Sequence, residues 1–149
     1  MQIREANTEQ CLELLKRSTL GHLGCVRDHQ PYVVPIHFSF DAERNRLYGF
    51  STVGQKVVWM RENPYVCVEV PEITDKNHWT TVLIFGRYEE LRDTPEHADA
   101  RQRMLNLFQE RGEWWLPATA KLGSRESPSV LLYQIHIDRI TGRSAARDR

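Results

Sequence analysis

The chain has 149 residues with 20 basic and 20 acidic side chains, so its formal net charge is zero. This length supports one domain that buries its own core, and the balanced charge excludes a broad surface for binding nucleic acid. The longest apolar runs have four residues, as at 82–85, and are far too short to span a membrane, and the three cysteines form no C-x-x-C pair. We therefore expect a single cytoplasmic domain over residues 1–149, with a frayed polar tail at residues 144–149.

A helix and a β-hairpin are predicted at the start of the chain. Thr8 is placed to cap a helix that runs to Lys16, with leucines along one face. Residues 20–27 and 31–40 flank a three-residue polar turn, which is the pattern of a hairpin. In the second strand the core face is expected to carry Tyr32, Val34, Ile36, Phe38 and Phe40. The opposite, available face carries Val33, Pro35, His37 and Ser39.

Two more strands and a second helix follow, and a long fifth strand completes the middle of the chain. Residues 46–51 form the third strand, and the helix runs from about Gly54 to Glu62, where Asn63-Pro64 stops it. Residues 65–70 are a fourth strand that Pro71 ends, residues 73–78 are a polar loop, and residues 79–91 are the fifth strand. Residues 82–85 are apolar on both faces of that strand. A surface outside the core is therefore expected to be covered, most simply by a second copy of the chain.

The last third of the chain predicts a helix, a loop and a final strand. Pro95 begins an amphipathic helix that extends to about Arg111. Trp114 and Trp115 lie in the following loop, where they either line a substrate site or cap one end of the fold. Residues 130–140 alternate as a sixth strand. Most connections are too short for crossover helices, so we predict a mainly β fold, a homodimeric six-stranded antiparallel barrel closed on itself.

The segment from Ser51 to Lys56 follows a strand and opens a helix, which is where an anion is most easily bound. Backbone N–H groups at a helix N-terminus have no partner within the helix and carry the positive end of its dipole. Ser51, Thr52 and Lys56 add two hydroxyl groups and one ammonium group. The spacing is not that of a P-loop, and the alternative is a simple turn in which Ser51 or Thr52 caps the helix.

Several short motifs occur in a definite order along the chain. They are Pro-Tyr-Val-Val-Pro-Ile-His-Phe at residues 31–38, a strand that ends in Ser51, G-x-K at 54–56, Arg-x-Asn-Pro at 61–64, Trp-Thr-Thr-Val at 79–82 with Gly86, and Ile-Thr-Gly-Arg at 140–143. Their order and spacing resemble the FMN-binding split barrels, the pyridoxamine 5′-phosphate oxidase-like proteins, and among them the nitroimidazole-resistance branch. No single motif is specific, but together they extend over most of the chain.

The resemblance implies a homodimer that holds FMN at the interface between its subunits. One strand would line the isoalloxazine ring through Val33, Val34, Pro35 and Ile36. The ribityl chain and phosphate would be bound by Phe50, Ser51, Thr52, Gly54, Gln55 and Lys56. The other subunit would contribute Trp79, Thr80 and Thr81.

The chain also departs from these relatives. Gln55 stands where nitroimidazole-resistance proteins look to carry a histidine beside the motif lysine. An arginine-rich segment like that of the pyridoxamine phosphate oxidases is missing after Arg143, so their specific oxidase activity is not expected. His37, beside the ring strand, is a weak candidate for a proton donor. The six histidines show no metal-ligand spacing, so no metal site is expected.

Three functions are compatible with these residues. The first is an FMN-dependent oxidoreductase that acts on a small planar heteroaromatic compound, with the flavin supplying the redox chemistry and the protein supplying binding and orientation. The second is a non-catalytic module that binds flavin or haem. The third keeps the fold but uses a deazaflavin coenzyme as the hydride donor.

Overall fold

The computed structural model describes residues 1–110 and 130–147. Within these ranges the chain forms eight strands and three α-helices. The strands are β1 (Gln2–Glu5), β2 (Leu20–Arg27), β3 (Gln30–His37), β4 (Ser39–Asp41), β5 (Arg46–Thr52), β6 (Tyr65–Asp75), β7 (His78–Leu91) and β8 (Val130–Ala146). The helices are α1 (Thr8–Arg17), α2 (Gln55–Glu62) and α3 (Ala98–Glu110), the last preceded by a 3₁₀ turn at Pro95–His97. The fold is mainly β as predicted, but it has eight strands where six were expected.

All eight strands belong to one antiparallel sheet in the order β3-β2-β6-β7-β8-β5-β4, with β1 paired to the C-terminal end of β8. β3 and β4 are separated in the chain only by Phe38, yet they stand at opposite edges of this order. The sheet must therefore curl until its edges meet at Phe38, and the main hydrophobic core fills the curl. In the described residues no hydrogen-bonded ladder joins the two edges, so the prediction of full closure is wrong.

The β2–β3 hairpin keeps the predicted faces but not the predicted length. Its turn has two residues, Asp28 and His29, whose φ angles of 48° and 63° are those of a type I′ turn. Residues 31–40 are not one strand, because Phe38 turns the chain from one sheet edge to the other. The face assignment is confirmed for residues 32–37, where the core side carries half-buried or buried side chains and the other side exposed ones. It is wrong for Ser39, which is fully buried, because Phe38 turns the chain before β4 begins.

Helix α1 begins one residue earlier than predicted. Its N-cap is Asn7 and not Thr8, because the Asn7 side chain accepts from the Gln10 backbone at 2.8 Å and the Gln10 side chain accepts from the Asn7 backbone at 2.9 Å. This reciprocal pair of bonds is a capping box, in which Asn7 takes the capping position that the sequence assigned to Thr8. The helix buries Cys11, Leu14 and Leu15 against one end of the curl.

Two strands are longer than predicted. β6 continues through Pro71 to Asp75, where a polar loop was expected. β2 pairs with β6 only at residues 67–69 of β6. At Pro71 the only neighbouring strand is therefore β7, and the side without a neighbour needs no N–H from the proline. β8 extends to Ala146 because β7 and β1 flank it on both sides, so the predicted frayed tail is wrong for residues 144–146.

A buried ion pair fastens α3 to the sheet. The carboxylate of Asp41 in β4 is 2% exposed and accepts from Arg103 Nε and Nη2, each at 2.7 Å, and from the Tyr48 hydroxyl at 2.8 Å. Burial acts to raise the pKa of Asp41, but the hydrogen bonds from Arg103, Tyr48 and the Arg44 backbone outweigh it and lower the pKa to about 2. A second hydrophobic cluster, which includes Tyr48, Met104 and Phe108, is completed beside this pair.

We expect Arg103→Ala to lower the free energy of unfolding by about 3–5 kcal/mol, because the buried Asp41 carboxylate would lose its charged partner. The matched control is Arg44→Ala, which removes an ion pair to the largely exposed Asp99 and should cost less than about 1 kcal/mol. Urea denaturation at neutral pH measures both. Similar losses in the two variants would show that the buried pair does not anchor α3.

The same carboxylate should make stability depend on pH. Its folded pKa of about 2 lies below the usual value of 3.8, so its contribution is complete at higher pH and is lost as the pH falls through this interval. The expected loss is roughly 2 kcal/mol. Urea denaturation of wild type and Asp41→Asn at a series of acidic pH values tests this. Parallel pH dependence in the two proteins would contradict the assignment.

Candidate functional site

Two open strand edges face each other where the sheet fails to close. β3 pairs only with β2, and β5 pairs with β4 only as far as Tyr48, beyond which its one ladder is with β8. β3 and β5 contact each other without forming a ladder. The gap between β3 and residues 49–52 of β5, here called the split, is therefore lined by backbone groups that the sheet does not pair.

The hairpin geometry determines which groups of β3 point into the split. Beside a two-residue turn the first cross-strand pair is hydrogen-bonded, and pairs alternate from there. Arg27 and Gln30 form this first pair. By the alternation, Val33 and Pro35 belong to pairs that are not hydrogen-bonded, so their backbone groups point away from β2. Pro31 occupies an equivalent position. Between residues 31 and 35 the split edge thus offers the N–H of Val33 and the carbonyl groups of Val33 and Pro35. The Pro31 carbonyl, at the same edge, accepts from Gln30 Nε2 at 3.0 Å.

The first turn of α2 has no side-chain cap. Its N-cap residue is Gly54, so the alternative in which Ser51 or Thr52 caps the helix is wrong. Ser51 is buried and donates its hydroxyl to the Thr52 carbonyl at 2.7 Å. A Cβ on Gly54 would meet no atom within 4 Å. The start of α2, where the positive end of its dipole lies, is therefore uncapped and has open space beside Gly54.

Lys56, in this first turn, is a half-buried cation. Burial lowers the pKa of its ammonium group, and the nearby Cys25 thiol acts in the opposite direction. Across residues 1–110 and 130–147 it forms no ion pair and no side-chain hydrogen bond, whereas Arg17, Arg61 and Arg87 each bind a carboxylate. A desolvated charge without a counter-ion costs free energy. The site therefore has the chemistry of an anion-binding site.

Helix α2 lies next to the split. It packs on β2, and the Trp59 ring contacts the Tyr32 ring of β3 with centroids 5.4 Å apart. The predicted residues on β3, β5 and α2 are thus brought to one region. Thr52, Gly54 and Gln55 are exposed, while Phe50 is half-buried against Phe108. His37 is exposed at the end of β3.

The predicted segment Trp79, Thr80 and Thr81 does not join the split within one chain. It lies on β7, whose neighbours are β6 and β8, three positions from β3 in the sheet order. All three residues are half-buried. The expectation that they act on a second subunit is not tested by one chain and stays a prediction.

The surface of the sheet opposite the core, here called the outer face, is rich in apolar side chains. Of the predicted two-faced run, Val82 and Ile84 are buried in the core, while Leu83 and Phe85 lie on the outer face. Other exposed apolar side chains on this face are Val26, Val33, Tyr65 and Ile73. A cavity of about 400 Å³ lies here, bordered by Val33, Tyr65 and Phe85. An exposed apolar surface of this kind is typical of an interaction site.

A polar row on the outer face was not found from the sequence. Glu69 on β6 lies 3.2 Å from His22 on β2 and 3.4 Å from the Thr81 hydroxyl on β7. No sequence signal could have joined them, because the three residues come from strands paired only in the folded sheet. The described residues contain no group of three His, Cys, Asp or Glu side chains that could bind a metal ion. Trp114, Trp115 and Arg111 lie outside the described residues.

Comparison with known proteins assigns the fold. Residues 7–144 match the model of the pyridoxamine 5′-phosphate oxidase family. An uncharacterised protein of Rhizobium meliloti strain 1021 is 34% identical over 148 residues, covering 97% of each chain. The crystal structure of an FAD-binding protein from Mesorhizobium loti is 32% identical, covers 99% of both chains and has a TM-score of 0.80. A candidate 5-nitroimidazole antibiotic resistance protein from Bacteroides thetaiotaomicron is 15% identical, covers 97% of this chain and 89% of its own, and shares the fold with a TM-score of 0.69.

The open antiparallel sheet with an uncapped helix at its gap defines a split-barrel protein of the kind that the motifs predicted. The chain belongs to the pyridoxamine 5′-phosphate oxidase family. None of the helices in the described part of the chain is long and apolar enough to cross a membrane.

We expect Lys56→Met to leave the ligand-free protein as stable as wild type or more stable, by up to about 1 kcal/mol, because it removes a desolvated charge that has no counter-ion. Lys76→Met, at the exposed β6–β7 turn, is the control and should change little. Urea denaturation measures both. A clear loss of stability in Lys56→Met alone would mean that the ammonium group has a stabilising partner.

Proposed function

We propose that this protein is a flavin-dependent oxidoreductase that binds the flavin ring along the split edge of β3 and the flavin phosphate at the N-terminus of α2. The observation that carries the proposal is the half-buried Lys56, without a counter-ion in the described residues, beside a helix N-terminus that no side chain caps. Membership of the pyridoxamine 5′-phosphate oxidase family supports it. So does the 32% identical Mesorhizobium loti protein, which is described as FAD-binding.

The donor set fits a flavin. A phosphate requires N–H groups and a cation, and the first turn of α2 with Lys56 offers both. The polar edge of an isoalloxazine ring carries one N–H between two carbonyl oxygens. At the edge of β3 the Val33 N–H can donate to one ring carbonyl, and a neighbouring backbone carbonyl can accept from the ring N–H. Val33, 67% exposed, is available to contact the ring face. When bound, the flavin supplies hydride and electron transfer, and the chain supplies binding and orientation.

FMN is the flavin that we propose, with FAD as the alternative that the Mesorhizobium loti relative favours. Both carry a phosphate on the ribityl chain, so Ser51, Thr52, Gly54, Gln55 and Lys56 would meet the same group in either. FAD needs further surface for its adenylate half. The substrate class that we propose is a small planar heteroaromatic compound, which suits a site bounded by apolar side chains.

We further propose that two copies form the working unit, with Trp79, Thr80 and Thr81 completing the flavin site of the partner. Two observations support this assembly: the segment is remote from β3 along the sheet, and the outer face that carries Trp79 and Thr81 has several exposed apolar side chains. Burial of such a face is a usual driving force for association.

A second candidate function is a module that binds flavin without turnover. It is favoured by Gln55, which stands in the first turn of α2 where an imidazole would be expected in the nitroimidazole-resistance branch. An amide can bind a phosphate or a ring carbonyl but cannot exchange a proton near neutral pH. Turnover with a heteroaromatic acceptor separates the two functions.

The proposal is tested by titrating flavin-free protein with FMN, FAD and riboflavin. We expect Lys56→Ala to raise the Kd for FMN and FAD by more than about tenfold, since a charge-assisted phosphate contact contributes roughly 1.5–3 kcal/mol. Riboflavin has no phosphate, so its Kd should not change. Lys76→Ala is the control for loss of a lysine elsewhere. Chromatography of the flavin released from purified protein identifies the natural cofactor.

Three results would count against the proposal. A protein that binds none of the three flavins would exclude it. If Lys56→Ala raised the Kd values for riboflavin and FMN equally, the phosphate would bind at another position. If sedimentation showed that the wild-type protein is a monomer while it holds FMN, the shared site would be excluded.

A further inference from the structure

The polar row on the outer face lies between the two chain segments that we propose to contact flavin. His22 on β2 is directly across from Pro35 of β3 on one side and from Glu69 of β6 on the other. Glu69 Oε1 lies 3.2 Å from His22 Nδ1, and Glu69 Oε2 lies 3.4 Å from Thr81 Oγ1. The row therefore begins beside the proposed ring strand and ends at the segment proposed for the partner's flavin.

His22 and Glu69 share one face of the sheet because cross-strand partners in a ladder point the same way. Their chain neighbours Leu23 and Val68 are fully buried in the core, so both polar side chains lie on the outer face. Their side chains are 41% and 48% exposed in the single chain. Covering this face with a second copy would remove water from the pair and strengthen the bond between them.

The contact with Glu69 determines which imidazole nitrogen remains available. A carboxylate can only accept a hydrogen bond, so Nδ1 carries a proton in both the neutral and the charged ring. The two ring nitrogens point in widely different directions. With Nδ1 held toward β6, Nε2 is directed away from Glu69, and the strand on the other side of His22 is β3.

We propose that His22 is the proton-donating residue of the flavin site and that Glu69 is its positioning residue; this inference rests on the proposed function. In the transfer the Nε2–H bond of the imidazolium breaks and its electron pair stays on Nε2. The proton bonds to a lone pair on a heteroatom of the substrate, and nothing is oxidised or reduced in this step. Glu69 keeps its bond to Nδ1–H throughout and stabilises the charged ring before transfer.

The groups around His22 favour this assignment. The titratable side chains that face it are Glu69 and Cys67 from β6 and His37 from β3. Glu69 is the one carboxylate among them. His37, the candidate chosen from the sequence, has Leu20 as its cross-strand partner and is therefore diagonal to His22. A histidine oriented by a carboxylate is a recurrent arrangement for proton transfer.

The experiment compares flavin-loaded wild type with His22→Gln, Glu69→Gln and Glu72→Gln. Glu72 is the control, because it lies on the same strand, is equally exposed at 48% and pairs with Arg17. The flavin is reduced with dithionite, and its reoxidation by 2-nitroimidazole is followed by absorbance over a range of pH. We expect His22→Gln to slow reoxidation at least tenfold and to abolish its pH dependence. Glu69→Gln should also slow reoxidation, because the His22 ring loses the carboxylate that orients it, and Glu72→Gln should match wild type.

An independent measurement uses the flavin-free protein. The nitrogen chemical shifts of the His22 ring report which nitrogen carries the proton. We expect Nδ1–H in wild type and in Glu72→Gln, and a changed tautomer population in Glu69→Gln. Unchanged shifts in Glu69→Gln would overturn the positioning role of Glu69.

The outcomes separate this inference from the function on which it rests. If His22→Gln binds flavin normally and keeps the wild-type rates and pH profile, the inference is overturned and the proposed function stands. If His37→Gln alone abolishes the pH dependence, the proton donor is His37 and the inference is overturned. If wild type binds no flavin, both are overturned.

Discussion

One connection determines the shape of this protein: Phe38 alone separates β3 from β4, and these strands lie at opposite edges of the sheet. Phe38 is fully buried and donates its backbone N–H to the Thr19 carbonyl at 2.9 Å, so the point where the edges meet is held in the core. β4 pairs with only three residues of β5, and beyond them β3 and β5 diverge. The split is therefore a consequence of topology. The strand edge and helix terminus that we assign to a ligand both lie at this divergence.

Local signals in the sequence were enough for the elements that bury one face. The alternation gave the correct bounds of β2 and the correct faces of β3 as far as His37, the stop at Pro64 gave a correct helix end, and the order of motifs gave the right family. The pairing of strands that are far apart in the sequence left no such signal. β1 is mostly polar and all four of its residues are exposed, and only its ladder with the end of β8 makes it a strand. The residues of the His22 row come from three strands, so their contact could be known only from the register.

The proposed phosphate site illustrates how a cost in stability can indicate function. Most basic side chains of the described residues have an acidic or amide partner, and the pair of Arg103 with the buried Asp41 carboxylate holds α3. Lys56 differs because it is half-buried beside a helix terminus of the same sign. Repulsion and desolvation both disfavour this arrangement in the absence of an anion. The sequence located the segment, but only the folded chain revealed that the charge is desolvated and that Gly54, not a hydroxyl residue, begins the helix.

An open strand edge normally invites pairing with another strand, which would block a ligand site and promote aggregation. The sequence of β3 prevents this in a specific way. Pro31 and Pro35 occupy positions whose backbone would point into the split, and neither has an N–H to donate. An added strand would need a donor at each of these positions, and between them it would find only the N–H of Val33. A flavin ring can bind at this edge with one bond from the Val33 N–H to a ring carbonyl and one from the ring N–H to a backbone carbonyl, so the edge disfavours a strand while it can still accept a flavin ring. The two prolines therefore favour a small molecule over a peptide as the occupant of the split.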